Sequence, residues 1–248
     1  MTLVFRLPCA AMLLCLFAAW AGPADAQELS LSLGEGGSLS GRTIQLILLI
    51  TILSLAPGLA IMITCFPFLV TVLSILRQGI GLQQSPPNML IVSLALFLTY
   101  FIMEPVFTEA WTSGIQPLVQ ETLEVEPALQ QAIVPFKEFM AARVDPDTFE
   151  AMASLRPHTQ DVSPSPEAPI SVLIPSFLLS EISRAFQIGF LVFLPFLVID
   201  LVVAAVLMSM GMMMVPPATV SLPFKLAFFV IADGWSLVAG ALVRSYSP

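Results

Sequence analysis

The chain alternates long apolar runs with short polar punctuation. Residues 43–76 contain no charged side chain, a longer run than the roughly 20 apolar residues a helix needs to cross a bilayer. Pro57-Gly58 and Pro67 fall inside this run, which predicts a broken or kinked helix. Residues 77–88 form a polar turn punctuated by Gly79, Gly81, Pro86 and Pro87, breakers that end regular structure. A second apolar stretch begins at Met89, reaches Met103 and continues less cleanly through Glu104-Pro105 toward Trp111. Together the runs predict a first helical hairpin over residues 43–111.

From 112 to 169 the pattern changes to acidic, Gln- and Pro-rich sequence with short amphipathic stretches at 118–129 and 133–142. Ser163-Pro164-Ser165-Pro166 closes it as a linker, since alternating prolines favour extended backbone. This segment predicts an aqueous insert of two or three helices. Beyond it, residues 176–214 are apolar apart from Glu181, Arg184 and Asp200, and residues 218–243 are apolar apart from Lys225 and Asp233. These make a second hairpin over 170–248 that turns at a methionine-rich stretch. The predicted fold is an all-α membrane protein: two long broken helical hairpins with a small helical extracytoplasmic insert.

Composition agrees with the pattern. A hydrophobic fraction of 57% with 10% charged residues and a mean hydropathy of +0.93 exclude a soluble globular domain. The formal net charge of −8 reads differently once located: eleven of the 17 acidic residues lie between Glu104 and Glu167, against Lys137, Arg143 and Arg156. The acidity belongs to the insert, not to a surface seeking nucleic acid.

At the N-terminus Arg6 precedes an apolar run over 9–20 and the small-x-small pattern Ala24-Asp25-Ala26. Residues 1–26 therefore read as a cleaved signal peptide, with an uncleaved anchor as the alternative; residues 27–42 form a polar N-terminal segment. Cleavage leaves the mature N-terminus and the insert on the extracytoplasmic side and both hairpin turns in the cytoplasm. Arg77 alone among the cations supports that orientation. Cys9 and Cys15 depart with the signal peptide, so Cys65 has no partner for a disulfide or a thiolate metal site.

The second turn carries the most unusual chemistry. Met208, Met210, Met212, Met213 and Met214 occupy five of seven positions before Val215, Pro216 and Pro217. Methionine is unbranched and polarizable, and a cluster of it makes a surface that repacks around changing shapes. Such a surface between two membrane segments predicts a soft constriction. Inside the spans, Asp200 and Lys225 each need a partner, because a charge at the bilayer centre costs at least about 2.5–3.5 kcal/mol. In an antiparallel pair centred on 214, Lys225 faces about residue 203, within one turn of Asp200, which predicts a buried ion pair. Glu181 and Arg184 sit three apart and are expected to neutralise each other on a solvated face. Asp233 has no evident partner, which suggests a neighbouring subunit or a water-filled lumen. His158 reads as solvated surface. No phosphate loop, paired-histidine zinc helix or intramembrane nucleophile is present in the sequence, so no enzyme, cofactor or metal is expected.

Several blocks taken together resemble the FliP family of flagellar type III export-gate proteins. In the second hairpin these are Ile174-Pro175-Ser176-Phe177, the run from Ala185 through Gln187 and Gly189 to Phe190, Pro195 with the residues leading to Asp200, the methionine stretch with Pro216 and Pro217, and Ser221-Leu222-Pro223-Phe224-Lys225. In the first they are Cys65-Phe66-Pro67-Phe68 and the run from Arg77 to Gly81 and on to Asn88. The resemblance implies a pore-forming subunit that passes unfolded flagellar subunits across the bacterial inner membrane at the flagellar basal body. It implies a homo-oligomer joined by FliQ-like and FliR-like membrane subunits and other export-apparatus proteins. It maps a pore gasket onto the five methionines, and it implies that the hairpins need not all cross the bilayer once assembled. An injectisome subunit of the same architecture and a small-solute transporter remain as alternatives, as does a scaffold that never conducts.

Overall fold

A computed structural model describes residues 39–82, 86–157, 159, 162–212 and 214–246. The signal peptide, most of the polar N-terminal segment, His158 and Met213 lie outside the described residues. Residues 1–51 and 52–248 form two compact units; the first contributes only the start of helix α1 (Leu39–Met62) to the description, and the remainder concerns the second. Every regular element among the described residues is helical, as an all-α membrane protein requires.

The first apolar run does not break where its Pro-Gly pair suggests. The backbone stays helical through Pro57 and Gly58 and stops only at Met62. An interior proline removes one hydrogen bond, but an apolar environment offers the remaining backbone groups no partner except the helix itself. The break comes at Ile63–Cys65 instead. There the Thr64 hydroxyl donates to the Ile61 carbonyl at 2.9 Å and accepts from the Phe66 N–H at 3.4 Å, serving both helix ends. Pro67 then sits in the first turn of α2 (Phe66–Ile80), where a missing N–H is no loss. Helix α2 ends in left-handed Gly81 (φ 87°), whose N–H returns to the Gln78 carbonyl, a turn that glycine adopts without steric cost.

Helix α3 (Asn88–Ala110) completes the first hairpin. Arg77 donates to the Asn88 side chain across the turn. The helical path continues past Trp111 through a π turn (Trp111–Ile115) and α4 (Gln116–Val119), the first turns of the polar insert. Its body is α5 (Val125–Arg143) and α6 (Pro146–Ser154). Asp145 caps α6, accepting from the Thr148 N–H at 3.0 Å and the Thr148 hydroxyl at 2.8 Å. Those bonds hold its carboxyl below the usual aspartate range.

Helix α7 (Ile170–Ser209) runs 40 residues without a break despite Pro175 and Pro195. At 1.5 Å per residue it is about 60 Å long, roughly twice the 30 Å hydrocarbon core. Two glycines let it lie against α2: a Cβ at Gly189 would clash with Ile75 Cδ1, and one at Gly79 would meet Phe196 at 2.9 Å. The chain returns through α8 (Pro217–Ile231) and α9 (Gly234–Arg244), which bend by 61° at Ala232-Asp233. The second hairpin is therefore one long helix against two short ones. One core gathers Phe68, Val72, Leu76, Met103, Phe196 and Phe229 from α2, α3, α7 and α8. A second, with Met140, Phe149, Leu173 and Phe177, seats the insert on the start of α7.

Candidate functional site

The methionine turn is built on a helix C-cap. Gly211, with φ 75°, donates to the Met208 carbonyl at 3.1 Å, and Met212 donates to the Leu207 carbonyl at 3.0 Å. This paired pattern, with a left-handed residue between helix end and exit, satisfies the last carbonyls of α7 and stops it sharply. Pro216 and Pro217 restart the chain as α8, with Pro217 at the first turn. Between these fixed ends Met208, Met210, Met212 and Met214 are all exposed, Met214 at 97%. Beside the turn an apolar groove of about 640 Å³ lies between α7 and α8, walled by Val198, Val202, Val206, Met210, Met212 and Phe224.

Below the turn the structure brings Asp200 and Lys225 together. Lys225 Nζ donates to Asp200 Oδ2 at 2.6 Å, and the Ser221 hydroxyl donates to Oδ1 at 2.6 Å. The Lys225 side chain is only 7% exposed and that of Asp200 35%, so the cation is the group that depends on its partner. Ser221 stands one helical turn before Lys225 and offers its hydroxyl from the same face; that spacing is the signal by which it could have been found. A Cβ at Gly81 would lie 3.8 Å from Lys225 Nζ, so the carbonyl end of α2, where a helix carries partial negative charge, adjoins the same ammonium.

Glu181 departs from the expectation of a solvated pair with Arg184. Its side chain is fully buried, and Arg184 at 3.5 Å is the more distant of its two cations. Arg143 of the insert binds Glu181 Oε1 through Nε at 3.2 Å and Nη2 at 3.1 Å, and Tyr246 donates its hydroxyl to Oε2. A buried carboxylate needs this many donors to offset its lost hydration. Asp233 is exposed in a left-handed turn (φ 48°) at the α8–α9 bend. The remaining predicted positions are mostly structural: Pro67 and Pro217 start helices, Gly81 ends one, Arg77 and Asn88 close the first turn, Gly189 permits close packing, and Pro195 and Pro223 lie within helices. Gln187 is exposed on α7.

Long apolar helices, internal charges held by partners and an exposed methionine turn between two of the helices define an all-helical membrane protein. The sequence pattern of the FliP family matches residues 49–242, and the chain belongs to that family. It is 52% identical over 217 residues to the flagellar biosynthetic protein FliP of Caulobacter vibrioides, covering 88% of this chain and 81% of that one. It is 45% identical over 219 residues to that of Aquifex aeolicus, covering 88% and 91%. The corresponding protein of Bacillus subtilis is 43% identical over 204 residues, covering 82% and 92%.

Proposed function

We propose that this chain is a pore-forming subunit of the flagellar type III protein export gate in the bacterial inner membrane, passing unfolded flagellar subunits out of the cytoplasm. The observation that carries this reading is the exposed methionine turn, set between the Gly211 cap of α7 and the proline start of α8. Methionine side chains seal around objects of changing shape because they repack at little cost, and a translocating chain presents such a series of shapes. The subunit does no covalent chemistry itself, and other components supply the energy. Asp200 and Lys225 hold the helices that carry the turn. The insert and the mature N-terminus lie on the extracytoplasmic side, within the basal body.

Assembly with other chains is part of the reading. An apolar helix of about 60 Å exceeds what a 30 Å hydrocarbon layer covers, and exposed Phe186, Phe190, Leu197 and Leu201 line its free sides. Copies of this chain and FliQ-like and FliR-like subunits supply that cover. The names of the flagellar biosynthetic relatives favour the flagellar branch over an injectisome.

The test is a seal measurement. Replacing Met212 and Met214 by alanine is expected to leave the co-purifying complex intact while cells become permeable to small ions and dyes. Unchanged permeability in an assembled complex rejects the gasket. A chain that extracts gently as a lone monomer rejects the gate.

A further inference from the structure

Among the described residues, a dense set of contacts from four helices converges just after α9, away from the methionine turn. Tyr246 follows α9 and is held there by its N–H to the Val243 carbonyl at 3.0 Å. Its ring meets Phe68 of α2 edge-on at 5.4 Å and stacks on Phe139 of α5 at 6.1 Å. The Arg143 guanidinium sits 3.9 Å from the ring centroid, close enough for a cation–π attraction. The Tyr246 hydroxyl donates to buried Glu181 on α7. Next to it, the Ser245 carbonyl accepts from Arg143 Nη1 at 2.8 Å. The partners are far apart in the chain: 65 residues separate Tyr246 from Glu181 and 102 separate Ser245 from Arg143.

We infer that Phe68, Phe139, Arg143 and Glu181 form a docking site for the chain's own C-terminal Ser245-Tyr246, which acts as a keystone locking the polar insert onto the apolar helices. Each element contributes a different chemistry to one side chain: aromatic walls from α2 and α5, a cation over the ring face, and a carboxylate for the phenol. The fit explains why a tyrosine stands there, since a ring and a hydroxyl at its tip are both used. Without it, Arg143 loses its aromatic face, and Glu181 Oε2 loses its one donor among the described residues. The insert would still be seated by Phe149 and Met140, so the result is local opening of the end of α5 and not global unfolding. The insert makes this attachment only once residues 245–246 have been made and α9 has folded. This inference concerns contacts within one chain and does not rest on the pore reading.

Arg143 itself supplies the assay, since it is held in the lock while Arg156 is exposed in the same insert. In the detergent-solubilised full chain, phenylglyoxal, read out by peptide mass spectrometry, is expected to modify the Arg156 guanidinium at least ten-fold faster than that of Arg143. Ending the chain at Arg244, which removes both the ring and the Ser245 carbonyl, should bring the Arg143 rate to within two- to threefold of Arg156, and Y246A should move it in the same direction. Y246F, which keeps the ring but not the phenol, should fall between. An Arg143 to Arg156 ratio that stays at the parent value in both the truncated and the alanine chain overturns the inference. Should those chains fail to accumulate, F139C/Y246C in a chain whose other cysteines are replaced by alanine decides it. A short bifunctional thiol reagent should link the pair within one chain; no link, or links only between chains, overturns the keystone.

Discussion

Gly114 and Ala128 meet backbone to backbone: a Cβ added at Gly114 would stand 2.6 Å from the Ala128 carbonyl oxygen and 2.7 Å from the Ala132 nitrogen. The π turn at Trp111–Ile115 presents this one residue without a side chain to α5. Helix α5 is pinned to this π turn at a point where Gly114 contributes no side chain.

G114A therefore forces two helices apart, since backbone atoms cannot swing aside as a side-chain end can. Overpacking of this kind costs about 1–3 kcal/mol, more than the roughly 1 kcal/mol that alanine gains over glycine in helix propensity. The purified variant should unfold on heating several degrees below the parent. An equal or higher midpoint would show that the contact yields freely.

The ion pair below the turn should respond unequally to its two halves. D200N strands an almost fully buried ammonium, whereas K225M leaves a carboxylate that is one-third exposed and still bonded to Ser221. Breaking a buried pair costs about 3–5 kcal/mol when the remaining charge is sealed in. D200N should lower accumulation and export more than K225M, and D200N/K225M should recover part of the loss. Equal defects in the two single variants, with no recovery in the double, would reject direct pairing.

The cap of α6 carries a pH dependence of known sign. The bonds from Thr148 favour ionised Asp145 and depress its native pKa, so its stabilisation is complete above the unfolded aspartate value near 4 and is lost as pH falls through the lower native value. Helicity of residues 146–154, followed by NMR on the detergent-solubilised chain, should persist at pH 5 and decline only below pH 4. D145N, a competent neutral cap, should flatten that decline. A D145N profile that tracks the parent would assign the acid transition to another group.

Gly211 offers a contrasting case, because nothing lies within 4 Å of where its Cβ would be. G211A costs only the left-handed backbone, about 1–2 kcal/mol, and this falls on the turn rather than on any packed helix. The variant should accumulate like the parent while the ends of α7 and α8 lose protection from hydrogen exchange. Loss of the whole chain from the membrane would mean that the turn supports more of the fold than its contacts indicate.

Much of this architecture is legible in the sequence, for identifiable reasons. Charge-free runs locate the helices because a bilayer tolerates little else, and the equidistance count sets Lys225 opposite residue 203 where the structure pairs it with Asp200, less than one turn away. The punctuation rules mislead at Pro57, since they describe chains whose freed carbonyls find water. The true break depends on the Thr64 hydroxyl, one side chain among several of its type. Glu181 was unreadable in its setting because its donors come from positions 143 and 246, and spacing rules that work within a helix do not reach across the fold. Ser221 lay one turn from Lys225 and was within reach of the helical period.

The bend between α8 and α9 separates two readers of the same residues. During synthesis, residues 217–244 pass as one hydrophobic stretch interrupted by Lys225 and Asp233, and an insertion machine that sums transfer energies along it meets a single segment. In the finished subunit the stretch is two rods, 15 and 11 residues long, set at 61°, neither of which reaches across a 30 Å layer alone. What admits this stretch to the membrane is thus its composition, while what gives it a final shape is the left-handed turn at Asp233, a feature that hydropathy does not register.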